Sequence, residues 1–350
     1  MTSSNAPRNA GRPLPALTGD TTTATSATTP AATSSVWLVG QSAARAQRSG
    51  RYAPGSVAHP ARMMPSLART AIATYTRPGD LVLDPMCGIG TSLVEAVHAG
   101  RDAAGIDYEP RWAALAADNL RLAESAGATG QATVATGDSR QAAQLLPAEL
   151  TGQVRLLLTS PPYGATTHGQ VHASRTEKVR KWDHRYSDHP RGAAATASLA
   201  RQSLPQLLDG LREVLLGCLP LLAPGAAVVL TTRPYRSAGQ LIDLPGAALH
   251  TAASIGLEPV GRYVALLAGV YPDRVVSRGS FFQMANVRAA RAAGTPQRVT
   301  AHEDVLVLRA PAARRSDSDE PKRPGRDLEC APEMVARSDI DPARRRGRGR

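Results

Sequence analysis

The sequence predicts an α/β fold, doubly wound around a mostly parallel seven-stranded sheet. Two observations carry this expectation. Short apolar runs alternate with helix-patterned stretches through residues 36–310, the signature of strand–helix–strand units. Several of the runs also end in an acid, a glycine turn or a proline turn. That places polar chemistry at the carboxyl edge of the sheet, where open α/β sheets bind ligands.

The elements follow in order. Leu81 to Pro85 reads as a buried strand, Ser92 to Ala99 as a helix, and Ala103 to Tyr108 as a second strand. Pro110 to Ala126 is a long helix with proline in its first turn, a position that needs no N–H donor. Ala132 to Asp138 and Val154 to Thr159 are the third and fourth strands, Ala197 to Leu222 a helical stretch, and Ala226 to Thr232 the fifth strand. Leu241 to Ile255 reads as a helix, and Pro259 to Leu267 and Asp304 to Arg309 as the last two strands. The long irregular stretch between those two leaves room for one to run antiparallel.

Composition bounds the rest. The 350 residues carry a net charge of +12, with 41 basic residues of which only Lys178, Lys181 and Lys322 are lysine. Such a balance favours a polyanionic partner, and arginine suits phosphates and planar bases better than lysine does. Three cysteines, Cys87, Cys218 and Cys330, with no CxxC, argue against a disulfide scaffold or zinc ribbon and fit a reducing cytoplasm. No signal-peptide pattern is visible. The longest uncharged stretch, Val214 to Thr232, is broken by Pro220, Pro224 and Gly225, so no membrane span is expected. Residues 1–35 are poor in large apolar side chains and read as a disordered segment. Residues 311–350 hold 11 basic and 8 acidic residues and read as a disordered, Arg-rich tail. One domain over 36–310 remains.

The first strand runs into Asp84-Pro85-Met86-Cys87-Gly88-Ile89-Gly90-Thr91. Gly88 and Gly90 let the backbone approach a ligand where a Cβ would clash. Asp107, at the end of the second strand, is placed to bind ribose hydroxyls. Asp138, at the end of the third, could accept from an adenine amino group. Three acids at three successive strand ends fit an S-adenosylmethionine site better than an NAD site. A dinucleotide turn would also want a third glycine where Thr91 stands.

The fourth strand ends in Ser160-Pro161-Pro162-Tyr163. Two prolines give a rigid, extended path without N–H donors. The Pro161 carbonyl and the Ser160 side chain are then acceptors at the ligand edge, and Tyr163 offers a flat face. The cluster fits a planar ring bearing an exocyclic amine.

These two segments carry a resemblance. Asp84 to Thr91 resembles motif I of the S-adenosylmethionine-dependent amino-methyltransferases, with Met86 where Phe is usual. Thr159-Ser160-Pro161-Pro162-Tyr163 resembles their motif IV, in the form typical of DNA cytosine-N4 enzymes. His59-Pro60-Ala61-Arg62-Met63 resembles the segment that closes over the methionine end of the cofactor, which assigns His59 to the cofactor site. The resemblance implies a Rossmann-like class I methyltransferase fold, S-adenosyl-L-methionine as cofactor, and methylation of an exocyclic nucleobase amine. DNA, at cytosine-N4 or adenine-N6, is the first expectation. The order of motif I before motif IV is also that of tRNA guanine-N2 methyltransferases, so guanine-N2 methylation of tRNA or rRNA is the alternative. A non-catalytic nucleic-acid-binding regulator is the third reading, against which the intact Ser160–Tyr163 turn speaks. No Pro-Cys dipeptide occurs, which argues against carbon-5 methylation.

Residues 164–195 interrupt the strand–helix pattern as a target-reading insertion. Six basic residues stand there against three acids, with Trp182 and Tyr186 interleaved, a pattern suited to phosphate contact and base stacking. His168, Arg175, Lys178, Arg180, Lys181, Trp182, Arg185 and Tyr186 are the candidate nucleic-acid contacts, together with Arg233 beyond the fifth strand. The histidines lack ligand spacing, so no metal is expected. Arg278 to Gln283 holds both phenylalanines of the chain and reads as a hairpin anchor. His302-Glu303-Asp304 reads as structural.

Overall fold

The computed structural model describes residues 34–163, 170–172, 180–182, 198–237, 240–279 and 281–312. The strands are β1 (Val36–Trp37), β2 (Leu81–Asp84), β3 (Asp102–Asp107), β4 (Ala132–Thr136), β5 (Val154–Thr159), β6 (Gln170–His172), β7 (Arg180–Trp182), β8 (Leu222–Thr232), β9 (Tyr235–Ser237), β10 (Gln240–Ile242), β11 (Glu258–Leu266), β12 (Ala268–Val270), β13 (Val275–Ser277) and β14 (His302–Arg309). The helices are α1 (Ala44–Arg48), α2 (Pro65–Tyr75), α3 (Thr91–His98), α4 (Pro110–Ser125), α5 (Ala142–Leu145), α6 (Leu204–Cys218), α7 (Leu244–Ala253) and α8 (Phe281–Ala292).

The main sheet runs β1-β11-β14-β8-β5-β2-β3-β4. β14 is antiparallel to both of its neighbours, and every other pairing in the sheet is parallel. Strand order reverses between β2 and β5, which pair directly, and such a switch point opens a crevice at the carboxyl ends.

Alternation along the central strands builds the core. Val82, Leu156, Leu158, Val229, Val305 and Val307 face one apolar layer with α2 and α3. Leu83, Leu157, Val228, Leu230, Leu306 and Leu308 face the other with α6 and α7. Successive strand residues point to opposite faces, so a sheet covered on both sides reads as an unbroken apolar run. Each fully buried leucine contributes about 1.5–3 kcal/mol.

Four expectations need correction. The sheet has eight strands rather than seven, because Val36–Trp37 adds an edge strand beside β11. A two-residue strand has no periodicity to read. The stretch from Leu241 is not one helix. Its start pairs as β10 with β9, and α7 begins only after Asp243, whose carboxylate caps Gly246 N at 3.0 Å. The helical stretch from Ala197 to Leu222 is likewise shorter, since Leu222 already belongs to β8. Phe281 and Phe282 open α8 rather than anchoring a hairpin. Within the insertion, β6 and β7 form an antiparallel pair.

Candidate active site

The glycine turn after β2 and the proline turn after β5 open into one cleft of about 2010 Å³. Asp84 is buried at the end of β2, and its carboxylate is held by the protein itself. It accepts from Met86 N at 3.1 Å, from the Thr159 hydroxyl at 2.8 Å and from the Ser92 hydroxyl. Asp84 therefore ties β2, α3 and β5 together behind the two turns. Burial raises its pKa to about 6 against the pull of those hydrogen bonds.

Asp107 ends β3 and accepts from Gly88 N at 2.8 Å and Glu109 N at 2.9 Å, one bond on each oxygen. Each carboxylate oxygen can take a second donor. Asp107 faces the cleft, so ribose hydroxyls fit there. Burial lifts its pKa to about 7, opposed by the two backbone bonds. Asp138 also lines the cleft, capping its turn by accepting from Arg140 N at 3.1 Å.

Pro85, Met86, Gly88 and Thr91 line the same cleft. The Thr91 hydroxyl is buried without a hydrogen-bond partner at the first residue of α3. His59 is buried, lies edge-on to Trp112 at 4.6 Å, and accepts from Ala61 N at 3.2 Å. Gly88 has φ +54°, and a Cβ there would stand 3.0 Å from His59 Nε2. Gly90 has φ +75° and is not among the residues lining the cleft; a Cβ on it would meet Ala116 Cβ at 3.1 Å. The bare backbone at Gly90 lets α3 pack closely on α4.

Ser160, Pro161, Pro162 and Tyr163 line the opposite wall. Tyr163 is 8% exposed, and the Arg233 guanidinium lies over its ring at 5.2 Å from the centroid. One face of the ring is therefore already occupied. The phenol oxygen is buried without a hydrogen-bond partner among the described residues, and burial raises the phenol pKa far above its usual range.

Of the strap over the cleft, residues 44–64, sequence reasoning found only the His59–Met63 end, and it missed the two buried polar groups that hold the strap. Glu95 on α3 has a fully buried side chain. It pairs with Arg51 and Arg69, each at 2.9 Å, and accepts from the Tyr52 hydroxyl at 2.7 Å. Asn119 on α4 accepts from Ala53 N at 2.7 Å and donates to Ile89 O at 2.8 Å, linking the strap to the glycine turn. Glu303, read from sequence as structural, lines the cleft instead. Its neighbour Asp304 is the structural member, paired with Arg262 at 2.8 Å. The candidates His168, Arg175, Lys178, Arg185 and Tyr186 lie outside the described residues. Arg180, Lys181 and Trp182 form β7, and Arg233 lines the cleft. Among the described residues no cluster of metal-ligating side chains occurs, and no helix is long and apolar enough to cross a membrane.

The family described as DNA methylase matches residues 14–118, a span that includes the whole glycine turn. Over that span the chain is similar to this family. A tRNA (guanine(10)-N2)-dimethyltransferase of Methanocaldococcus jannaschii is 32% identical over 110 residues, 31% of each chain. A second protein of that name, from Methanothermobacter thermautotrophicus, is 30% identical over 154 residues, 43% of this chain and 41% of that one. The type II methyltransferase M.XycI of Xanthomonas campestris pv. cyanopsidis is 40% identical over 68 residues, 19% of this chain and 23% of that one. The chain thus spans less than half the length of these relatives. Its sheet, mostly parallel with one antiparallel strand near the edge, agrees with the fold that the sequence resemblance implies, and the cofactor implied by that resemblance is S-adenosylmethionine. The residues present fit that group. Asp107 has acceptor capacity facing the cleft, Thr91 has an orphaned hydroxyl, and Gly88 leaves the backbone bare beside His59.

Proposed function

We propose that the chain transfers a methyl group to an exocyclic amino group of a nucleobase within a nucleic acid. The observation that carries this reading is the Ser160–Tyr163 turn facing the glycine turn across one cleft, on directly paired strands. Bound S-adenosylmethionine supplies an electrophilic methyl group. Asp107, Thr91 and His59 would hold the cofactor, with Ser160 on the opposite wall of the cleft.

An exocyclic amine is a poor nucleophile because its lone pair is delocalised into the ring. Acceptance of its hydrogens by the Ser160 hydroxyl and the Pro161 carbonyl favours a pyramidal nitrogen. The nitrogen–carbon bond forms as the carbon–sulfur bond breaks, and the nitrogen then sheds a proton to solvent. Fixed acceptors stabilise the charge developing on nitrogen, and alignment in a closed cleft supplies much of the rate. A base within a duplex must be flipped out to reach this depth.

The basic balance of the chain supports a polyanionic partner. DNA is the polymer expected from the form of the proline turn. RNA is the second reading, supported by the longer aligned spans of the two tRNA-modifying relatives. Incubation with labelled S-adenosylmethionine and either genomic DNA or total tRNA, followed by digestion to nucleosides, tests both. An N-methylated nucleoside is expected. Label in neither polymer refutes the reading.

A further inference from the structure

The wall of the cleft beyond Tyr163 holds a charged pair that the transfer step does not use. β5, β8 and β14 lie side by side in the sheet. Ser160 follows β5, Arg233 follows β8, and Glu303 is the second residue of β14, one residue from the Asp304–Thr232 pairing. Two interstrand steps of about 4.8 Å and an offset of about two residues along the strands separate the outer two, roughly 12 Å in all. A single planar base with a hydrogen bond at each edge fills such a gap.

Among the described residues, no hydrogen bond or ion pair reaches the Glu303 carboxylate, and the residue is half-buried in the cleft wall. Its oxygens still reach water, and a ligand that displaces that water must supply donors in its place. Burial raises its pKa, and the Arg233 guanidinium pulls it back toward the charged form. Arg233 is itself fixed over the Tyr163 ring at 5.2 Å.

We propose that Glu303 is the specificity-determining acceptor for the base, selecting a ring N–H beside the target amine, with Arg233 donating to the acceptor edge of the same ring. An ionised carboxylate accepts and cannot donate. The ring nitrogen beside the amine is an acceptor in cytosine and adenine, and would repel it. Guanine alone places a ring N–H next to its exocyclic amine. The site therefore takes guanine at N2. This inference rests on the proposed nucleobase amino-methylation.

The test uses the full chain, labelled S-adenosylmethionine, and random-sequence RNA and DNA pools containing either guanine or 2-aminopurine in its place. 2-Aminopurine keeps the amine and loses the ring N–H. The wild type should label the guanine pool at N2 and favour it over the 2-aminopurine pool by roughly 10- to 100-fold, the usual worth of a hydrogen bond to a charged group. Glu303→Gln, whose amide can donate as well as accept, should shrink that preference several-fold while cofactor affinity is retained. A guanine pool methylated at N1 needs no variant and should be labelled as poorly as the 2-aminopurine pool. Label on cytosine or adenine amines, or equal labelling of the guanine and 2-aminopurine pools by the wild type, overturns the assignment of Glu303 but leaves the proposed function standing. A preference unchanged in Glu303→Gln also overturns it. No label in any pool overturns both.

Discussion

Replacing Glu95 with alanine removes the anchor of the strap that roofs the active-site cleft. The lost carboxylate has a fully buried side chain and holds three donors. These are Arg51 and Arg69, each at 2.9 Å, and the Tyr52 hydroxyl at 2.7 Å. Deleting one member of a buried ion pair costs about 3–5 kcal/mol because its partners are stranded. Here the two guanidinium groups are 31% and 43% exposed and can turn to water. The Tyr52 phenol is buried and cannot, and an unsatisfied buried group costs about 1–3 kcal/mol. The sum is not additive, and about 3 kcal/mol is the expectation. At about 2–4 °C per kcal/mol for a domain of this size, the melting temperature should fall by roughly 6–12 °C. Urea unfolding of Glu95→Ala beside Glu95→Gln measures the effect, and the glutamine variant should lose less because it keeps an acceptor for Tyr52. S-adenosylmethionine affinity should fall with the strap. A change below about 0.5 kcal/mol, the level of an ordinary surface substitution, refutes the claim that Glu95 holds this segment.

Three further outcomes follow from the same geometry. Asp84 has a pKa raised from 3.8 to about 6, so between those values the folded state binds more protons than the unfolded state, and stability falls as pH rises through the window. Full loss amounts to about 3 kcal/mol. Asp84→Asn should lessen the fall of the urea midpoint between pH 4 and 7, the remaining fall coming from Asp107, and a wild-type midpoint that climbs over that range contradicts the assignment. Asp107, at about 7, accepts best when ionised, so cofactor affinity by calorimetry should rise between pH 6 and 8 in the wild type and stay level in Asp107→Asn. A Cβ at Gly88 meets His59 at 3.0 Å with φ +54°, whereas Gly79 has φ +84° and open space. Both alanine variants should pay the left-handed backbone cost of about 1–2 kcal/mol, but only Gly88→Ala should also weaken cofactor binding; equal affinities would refute that.

The parallel strands were legible because a sheet covered on both faces writes itself as short apolar runs. Val82 and Leu83 enter opposite core layers, yet both appear in one run. The glycine and proline turns were legible because few residue types satisfy their backbone. Beyond its His59–Met63 end the strap was not, since Arg51, Tyr52 and Ala53 gain meaning only from partners 43 to 66 residues away. A signal did exist there. Glu95 interrupts the apolar Leu93–Val97 run, and Asn119 sits on the buried stripe of Trp112, Ala116 and Ala123. A polar group on an apolar stripe implies a distant partner. Glu303 was hidden for another reason. A strand alternates faces but does not announce which end meets a cleft, and only the antiparallel return of β14 brings Glu303 to the edge shared with Ser160.

The central claim is that the turn after β5 performs the transfer while the turn after β2 holds the cofactor. Ser160→Ala combined with Tyr163→Ala separates the two. Cofactor affinity of the double variant should match that of the wild type by calorimetry, while transfer of label from S-adenosylmethionine to nucleic acid should fall by at least about 100-fold, the scale on which fixed polar groups contribute at a reacting atom. Undiminished transfer in the double variant would contradict the account.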